Sequence, residues 1–411
     1  MKKTLALVLS LVMLLTAATA MAATEIEYWS VFTGGDGKVM QGMVDAFNAA
    51  QDEVHVTHTP MTADDLYQKA PLAVQTGTSV PDVAVVHIER IPNFVDQEMI
   101  YSYDLDLLAE AGVKAENYNQ AAYVKSEVDG EQYGIPLDVH GFVSYVNMDL
   151  VEKYGLNEFL ADGYITFDEL RAMGDKARAA GFAGQVFNMG WHRPQLLGYY
   201  AQLVEGHKLT DDGEALALDK EALKKVYETM KALYEDGYCT SKTDNEGNDM
   251  FYSNELLVWG AGIWMKAAAV EAGVNFKMMP AVCFDPANAK NWMSSHNFVQ
   301  FADEERTEEE DLAVAKFINF MGENSLVWAK DAGQVPAHVS LNEVAEFTEM
   351  PQAFLADPAR ENELAIYYYK HWGLFDTAIS RVGWDFTDGS IEIDAAVEQI
   401  VKEVTDAIAA Q

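Results

Sequence analysis

The chain has 411 residues, of which 49% are hydrophobic, so it is long enough for about two or three globular domains with a large apolar core. Its 65 acidic residues far outnumber its 28 basic residues, and the formal net charge is −37. This balance makes nucleic acid and anionic membrane poor partners; the acids are typical of a solvated surface, with a cationic ligand as the alternative.

The N-terminal segment has the pattern of a secretory signal peptide. Two lysines precede an apolar run from residue 5 to about residue 15, and Ala20-Met21-Ala22 fits a small-x-small cleavage site. We predict that residues 1–22 are removed after Ala22. The run is too short for a membrane span, and no later stretch approaches the ~20 apolar residues that spanning requires. No cysteine lies near the cleavage site, so we expect an exported protein without a lipid anchor, in the periplasm or at the outer face of the cell membrane.

The first part of the exported chain predicts a β-α-β-α-β unit. Alternating or apolar runs predict strands at 26–31, 54–58 and 83–86, and apolar stripes predict helices at 39–47 and 66–74. Such units form a doubly wound α/β sheet that binds ligands at the carboxyl ends of its strands. Trp29, Asp36 and His87 lie at or just beyond those ends and are candidate ligand-binding residues.

The glycine-rich turn around Asp36 has a structural explanation. Its spacing matches neither the Rossmann nor the Walker pattern, so we do not expect a nucleotide there. The glycines permit a tight turn, and Asp36 is well placed to cap the helix that follows. The sequence leaves open whether Asp36 also contacts a ligand.

Residues 133–147 combine a proline with an alternating strand and predict a crossing between two domains. Pro136 fixes its own φ and favours extended geometry at Ile135. The chain then presents Asp138 and His140 from an extended backbone, where no helix cap requires a carboxylate.

The second half of the chain alternates helices with strands and loops that carry tryptophan or histidine. Capping boxes at Thr166 and Thr307 each start a helix, and Trp191 lies in a loop after the first of them. Trp264 follows glycines at the end of a buried strand, where they allow close approach, and His296 lies in a polar loop that enters another strand. Residues 332–336 form a further candidate crossing.

These parts, in this order, resemble the extracellular solute-binding proteins of ABC importers, in the sugar-binding branch that includes maltose-binding protein. The resemblance covers the whole exported chain and is carried by residues 28–47, 133–156, the capping box at Thr166, and residues 262–265, 295–297 and 333–336. It implies an α/β fold of two lobes, each a sheet flanked by helices, joined by crossing hinge strands with the ligand between them. It places Asp138 and His140 on the hinge strand, Trp191 on a ligand loop of the second lobe, and Trp264 on a sugar-stacking turn.

The resemblance also implies the domain division and the partners. We predict lobe 1 from residues 23–137 plus 284–333, and lobe 2 from residues 138–283 plus 334–411. The expected crossings lie near residues 136–140, 280–284 and 334–337. The implied partners are a sugar ligand and the transmembrane permease subunits of an ABC transporter. We expect a monomer without a cofactor.

The residue types agree with a carbohydrate site. A sugar offers flat C–H faces and a rim of hydroxyls, so it requires aromatic platforms together with carboxylate, amide and imidazole groups. The chain has eight tryptophans, several of them beside glycine or proline in predicted loops. The candidate ligand-binding residues are Trp29, Asp36, His87, Asp138, His140, Trp191, Trp264, His296 and Trp372. Among the tryptophans, Trp264 and Trp191 rank first.

Three alternative functions remain open at this point. The same fold could bind a polyamine or another cationic solute through its carboxylates. A secreted glycoside hydrolase would use two carboxyl groups, but no pattern marks such a pair, and the common motifs of serine, zinc and dithiol enzymes are absent from the sequence. Ferric ion is suggested by the run Tyr367-Tyr368-Tyr369, although such a run is more typical of helix packing.

We expect neither a catalytic residue nor a metal site. His55 and His58 lie three apart on a predicted strand and therefore point to opposite faces, and the other histidines are scattered along the chain. The two cysteines, Cys239 and Cys283, either form a disulfide in an oxidising compartment or are buried separately.

Overall fold

The computed structural model describes residues 23–188, 192–204, 208–209, 216–239, 244–366, 372–383, 385–386 and 389–410. The strands are β1 (Thr24–Ser30), β2 (Val54–Pro60), β3 (Val83–His87), β4 (Ile100–Tyr101), β5 (Glu127–Val128), β6 (Glu131–Gln132), β7 (Ile135–Pro136), β8 (Asp138–Asn147), β9 (Gln185–Phe187), β10 (Lys208–Leu209), β11 (Leu216–Ala217), β12 (Leu256–Gly262), β13 (Phe276–Met279), β14 (Asn291–Ser294), β15 (His296–Phe301), β16 (Val335–Pro336) and β17 (Leu364–Ala365). The α-helices are Gly35–Ala50, Ala63–Thr76, Ile91–Asp96, Leu105–Glu110, Gln120–Tyr123, Met148–Tyr154, Phe167–Ala179, His192–Leu203, Lys220–Glu235, Asp244–Tyr252, Lys266–Glu271, Glu308–Glu323, Ala345–Thr348, Trp372–Val382 and Ile393–Ala409.

The first sheet contains the β-α-β-α-β unit that the sequence predicts. Its strand order is β2-β1-β3-β15-β4, and β7 also pairs with β15. β1 pairs in parallel with both β2 and β3, as the intervening helices require. Residues 83–86 of β3 are buried, which is typical of a parallel strand covered on both faces. The predicted unit is therefore confirmed.

The second sheet is built around β8. Its strand order is β17-β14-β8-β12-β9, and β13 and β16 also pair with β8. All ten residues of β8 are buried, because neighbouring strands cover its length. Two sheets with flanking helices give the mixed α/β class that the sequence predicts.

Two short segments of the described chain pass from one sheet to the other, and a short strand of the second sheet pairs beside the first of them. β7 ends at Pro136 in the first sheet, and β8 begins at Asp138 in the second. β14 ends at Ser294 in the second sheet, and β15 begins at His296 in the first. β16 pairs with the first two residues of β8. The polar side chains at the start of β8 therefore lie where the two sheets meet.

The second of these crossings differs from the expected place. The sequence placed it near residues 280–284. However, the backbone of Cys283 forms an isolated β-bridge with that of Thr166, and the chain passes between the sheets only at Ser295. The local sequence gives no sign of this, because β14 and β15 are separated by one residue and differ only in their pairing partners. The predicted lobe boundaries stay a prediction.

Local capping signals are confirmed at several helix ends. Thr166 with Glu169 and Thr307 with Glu310 both form complete capping boxes. The helix that follows β8 begins after Asn147, whose side chain accepts the N–H of Leu150. It ends at Gly155, which adopts the left-handed conformation with φ of 65°.

The cysteines are separate in the structure. Cys239 and Cys283 are both free and buried, and burial raises the pKa of each thiol, to about 12 for Cys283. In the described part of the chain, no helix has both the length and the apolar character needed to cross a membrane.

Candidate binding site between the two sheets

Three histidines from distant parts of the chain meet where the sheets join. His87 ends β3 and is the register partner of His296 at the start of β15. His140 belongs to β8 and is the register partner of Ser294 in β14. Because Ser294 and His296 are separated by one residue, the two pairings bring all three imidazoles to the same junction.

Asp138 lies at the centre of this junction and is fully buried. Its Oδ1 accepts a hydrogen bond from His140 Nδ1 at 3.0 Å and one from the backbone N–H of His296 at 3.2 Å. Its Oδ2 accepts from His296 Nδ1 at 2.8 Å and from Trp328 Nε1 at 2.7 Å. These donors satisfy the buried carboxylate, and the carboxylate in turn fixes the orientation of two imidazoles and an indole.

The protonation states follow from these contacts. Burial opposes the ionised form of Asp138, but the charge of His296 and the hydrogen bonds from His140 and His296 outweigh burial and hold the pKa of this carboxyl well below its usual value. Burial and the charge of His296 lower the pKa of His140. Burial, followed by the charges of His296 and His140, lowers the pKa of His87 well below its usual value. Asp138 is therefore ionised, and His87 and His140 are neutral at neutral pH.

The tautomer of His140 follows from the ionised carboxylate. An ionised carboxylate can only accept hydrogen bonds, so the Nδ1 that faces Asp138 must carry the proton. The Nε2 atom of a neutral ring in this tautomer keeps a lone pair. It is thus available as an acceptor or as a metal ligand.

The imidazole of His87 is held by Tyr67 and not by Asp138. The Tyr67 hydroxyl lies 2.6 Å from His87 Nδ1 and accepts the backbone N–H of His87 at 3.0 Å. The Arg90 guanidinium lies 4.4 Å from the centre of the Tyr67 ring, as in a cation–π contact. Each of the three imidazoles therefore has its Nδ1 atom beside an oxygen of a neighbouring side chain.

An indole completes the junction. Trp264 follows β12, is half-buried, and has its ring centre 5.8 Å from that of His140. A Cβ atom at Gly262 would lie 2.2 Å from the Trp264 indole, so only glycine leaves room for the ring there. The Tyr145 hydroxyl donates to the carbonyl of Gly262 at 3.0 Å and fixes the turn. An indole face beside imidazoles is suited to stack on one side of a ligand and to hydrogen bond its rim.

Two of the candidate residues lie apart from the histidines. Trp29 donates its Nε1–H to Glu27 on the same strand at 3.1 Å. Asp36 accepts the backbone N–H groups of Gly34 and Gly37 at 2.9 Å and 2.8 Å, so it holds the turn that starts the first helix. In the described part of the chain, no hydrogen bond or ring contact joins Trp29 or Asp36 to the histidines.

Two other candidates cannot be placed. Trp191 lies outside the described residues, as do Tyr367-Tyr368-Tyr369. Trp372 begins a described helix, but its side chain lies outside the described part.

Sequence reasoning missed three aromatic residues of the junction. Trp328 donates to Asp138 from a π-helical turn at residues 328–332, Tyr67 holds His87, and the Trp292 ring centre lies 6.4 Å from that of His140. Tyr67 lies in the helix Ala63–Thr76, and Trp292 lies in β14 beside the crossing, but no local motif marks either residue. A π-helical turn is often found at functional sites, but the sequence around Trp328 does not predict one.

A comparison with known protein families identifies the family of this chain. The family model for bacterial extracellular solute-binding proteins matches residues 42–356. The chain belongs to this family. The expected relationship to extracellular solute-binding proteins is thereby confirmed.

Two relatives have named ligands. An arabinooligosaccharide-binding protein of Halalkalibacterium halodurans is 28% identical over 140 residues, which cover 33% of this chain and 30% of the relative. An arabinooligosaccharide-binding protein of Bacillus subtilis is 26% identical over 190 residues, which cover 43% of this chain and 42% of the relative. The matches therefore span less than half the length of these relatives.

Solved structures share the fold over nearly the whole chain. The cyclic α-maltosyl-1,6-maltose binding protein of Arthrobacter globiformis matches with a TM-score of 0.75 at 18% identity, covering 95% of this chain and 100% of that one. The GacH receptor of Streptomyces glaucescens, solved without ligand and with acarbose, matches with a TM-score of 0.79 at 14% identity, covering 94% and 99%. At these identities the likeness shows the fold alone, and it confirms the two-lobe architecture.

Proposed function

We propose that this protein captures a sugar, in particular an oligosaccharide, outside the cytoplasm and delivers it to the permease of an ABC transporter. The observation that carries the proposal is the half-buried Trp264 beside the imidazoles of His87, His140 and His296 at the join of two sheets in a solute-binding fold. The arabinooligosaccharide-binding relatives support a carbohydrate ligand. The chain acts as a monomeric binding protein and catalyses no reaction.

The roles of the residues follow from burial. Trp264 provides the apolar platform, and the imidazole nitrogens that face away from Asp138 and Tyr67 hydrogen bond the sugar hydroxyls. Asp138 is fully buried and already accepts hydrogen bonds from protein groups, so it positions His140 and His296 and does not contact the sugar. A carboxylate in this state also offers little to a polyamine, which requires free carboxylates in the cleft.

The proposed mechanism is closure of the two lobes around the ligand. Such hinge closure is known for periplasmic binding proteins as a class. A sugar that contacts Trp264 from one lobe and His87 from the other makes both contacts only when the cleft is shut, so it favours the closed state. To move the population from 1:99 to 99:1, this preference must reach about 5.5 kcal/mol.

The first experiment is a ligand screen. The chain from Ala23 onward is heated with arabino- and maltooligosaccharides, with monosaccharides and with polyamines, and shifts in melting temperature are compared. A ligand at 100 times its Kd adds about 2.7 kcal/mol to the native state, which is a readily measured shift. A shift with an oligosaccharide supports the proposal. A shift with polyamines alone, weakened by salt, contradicts it in favour of the cationic solute.

The second experiment tests the platform by displacing it. Gly262 has an ordinary extended backbone with φ of −70° and ψ of 148°, and the three atoms nearest to an added Cβ all belong to the Trp264 indole, so we expect Gly262→Ala to displace that ring. We expect Gly262→Ala and Trp264→Ala each to weaken sugar binding in calorimetry by about tenfold or more, which is at least about 1.4 kcal/mol. The matched control is Gly42→Ala, where a Cβ meets open space. Unchanged affinity in both variants would remove Trp264 from the site.

The closure itself is tested by small-angle scattering with the sugar found in the screen. We expect the radius of gyration to fall at saturation, and Trp264→Ala to leave more of the liganded protein open. An unchanged radius in the wild-type protein would contradict closure while leaving binding intact.

A further inference from the structure

The three histidines have a geometry that sugar binding does not require. One ring nitrogen from each of His87, His140 and His296 lies within 4.8 Å of the corresponding nitrogens of the other two. Zinc–nitrogen bonds of about 2.0–2.1 Å at tetrahedral angles place two nitrogens on one ion about 3.4 Å apart. Movements of up to about 0.7 Å in each side chain therefore bring the three nitrogens around one ion.

The groups behind the histidines are those that support metal ligands. In metal sites, the ring nitrogen that does not bind the ion usually donates its hydrogen to a carboxylate or another oxygen, which fixes the ring. Asp138 accepts from the Nδ1 atoms of His140 and His296, and the Tyr67 oxygen lies 2.6 Å from Nδ1 of His87. The Nε2 atoms of the three rings form no hydrogen bond within the described residues. All three are left for an outside partner.

Carboxylates lie close to the rings, and they are opposed near His87 by the positive charges of Arg90 and Arg193. Asp138 is a buried carboxylate in direct contact with two of the rings, and Glu89 accepts from Ser294 at 3.2 Å, beside the strand pairing that holds His140. The chain as a whole has a formal charge of −37. Long-range attraction of cations towards such a protein favours loading of the site.

We propose that His87, His140 and His296 form a binding site for one divalent transition metal ion, with Asp138 and Tyr67 as the groups that orient the ligands. Three imidazole nitrogens favour zinc, copper(II) or nickel(II); calcium and magnesium prefer oxygen ligands. Three protein ligands leave a coordination position open for water or for an oxygen of a ligand in the cleft.

The site has a consequence for the two sheets. His87 and His296 belong to the first sheet and His140 to the second, so a bound ion links β3 and β15 to β8 directly. The metal therefore fixes the position of β8 relative to β3 and β15 at the join of the two sheets. The ion takes the imidazole nitrogens that the proposed sugar function assigns to the sugar hydroxyls, so a bound metal and direct sugar contacts to these rings exclude each other.

The test uses the untagged chain from Ala23 onward, stripped with a chelator and titrated with zinc, nickel and copper(II) salts. We expect one ion per chain by mass spectrometry of metals after dialysis, and nitrogen hyperfine structure from imidazoles in the copper(II) EPR spectrum. His87→Gln and His296→Gln should each lower zinc affinity at least tenfold. The matched control is His55→Gln, which removes an exposed histidine that pairs with Glu25 and should change nothing.

Circular dichroism of each variant distinguishes the loss of a metal-binding side chain from the loss of the fold. A further variant, Asp138→Asn, should lower zinc affinity by about 10–100-fold although it removes none of the three imidazoles. Saturable binding of less than one ion per chain, or equal affinity in wild type, His87→Gln and His296→Gln, would overturn the proposal. Sugar titration in excess chelator is run in parallel. Sugar binding with no metal binding would overturn the metal site alone, and metal binding with no sugar binding would overturn the sugar function alone.

Discussion

The two halves of β8 are equally buried, but they have different surroundings. Residues 138–141 lie against Trp328, the imidazole of His296 and the crossings between the sheets. In the other half, the Tyr145 ring packs 4.9 Å from Trp259 and 5.2 Å from Phe276. In the first half, His140 Nε2 forms no hydrogen bond within the described residues, whereas in the other half the Tyr145 hydroxyl donates to the carbonyl of Gly262. Burial alone therefore does not separate a core from a binding site. The two halves differ in the groups that surround them: a carboxylate and imidazoles in the first half, and aromatic rings in the second.

The largest expected effect is in the apolar half. Trp259 is fully buried and stacks on Phe251, with ring centres 4.7 Å apart and planes inclined by 29°. Trp259→Ala should lower the free energy of unfolding by about 3–5 kcal/mol in urea denaturation, because a large cavity remains. Trp259→Phe should cost clearly less. In the folded fraction, sugar affinity should be unchanged; a loss of affinity would mean that the two halves are coupled.

The next effect concerns the acceptor in the polar half. Asp138→Ala should weaken sugar binding about tenfold or more in calorimetry, which is at least about 1.4 kcal/mol, because His140 and His296 lose the acceptor that orients their rings. The structure adds a cost in unfolding free energy, because His140, His296 and Trp328 lose their acceptor. Asp138→Asn keeps the shape of the side chain, so it should retain part of the sugar affinity and part of the free energy of unfolding. Equal affinity in all three proteins would show that the imidazoles hold their positions without the carboxylate.

A smaller effect is expected at the boundary between the halves. A Cβ atom at Gly141 would lie 2.1 Å from Met293 Sδ and 2.6 Å from the carbonyl of Trp292. Gly141→Ala should therefore cost about 1–3 kcal/mol of unfolding free energy by overpacking, and it should separate β8 from β14 beside His140. The control is again Gly42→Ala in an exposed part of a helix, which should not destabilise. If Gly141→Ala has the stability of wild type but weaker sugar binding, the site is displaced without damage to the core.

The smallest expected effect concerns Lys266, a buried charge that has fewer partners than Asp138. Lys266 is buried and donates to the carbonyl of Ala329 at 3.0 Å; burial lowers its pKa to about 8, against the opposing charge of Asp331. The folded protein releases this proton more easily than the unfolded chain, so stability should rise as pH increases from about 8 to 10.5. Lys266→Met should remove this rise and gain roughly 1 kcal/mol at pH 7 after allowance for solvent screening. Urea denaturation from pH 7 to 10 checks it, with Lys69→Met as the exposed control. Parallel pH curves for wild type and Lys266→Met would contradict it.

The sequence predicted those features that depend on neighbouring residues. The alternating strand at the start, the continuous apolar run of β3 and the capping boxes at Thr166 and Thr307 are all local patterns, and the structure has each of them. The same holds for the first crossing, because Pro136 restricts the backbone whatever the rest of the chain does. The candidates Asp138 and His140 were found through that crossing.

The tertiary structure decided which polar side chains meet. Asp138 and His296 are 158 residues apart in sequence, and His87 joins them only because β3 and β15 are paired. Strand pairing between distant segments depends on the packing of the whole sheet, so no local pattern specifies it. For the same reason, the sequence showed scattered histidines where the structure has a cluster, and it placed the second crossing at residues 280–284 when it lies at Ser295. Local patterns determined the elements and the family; long-range pairing determined the site.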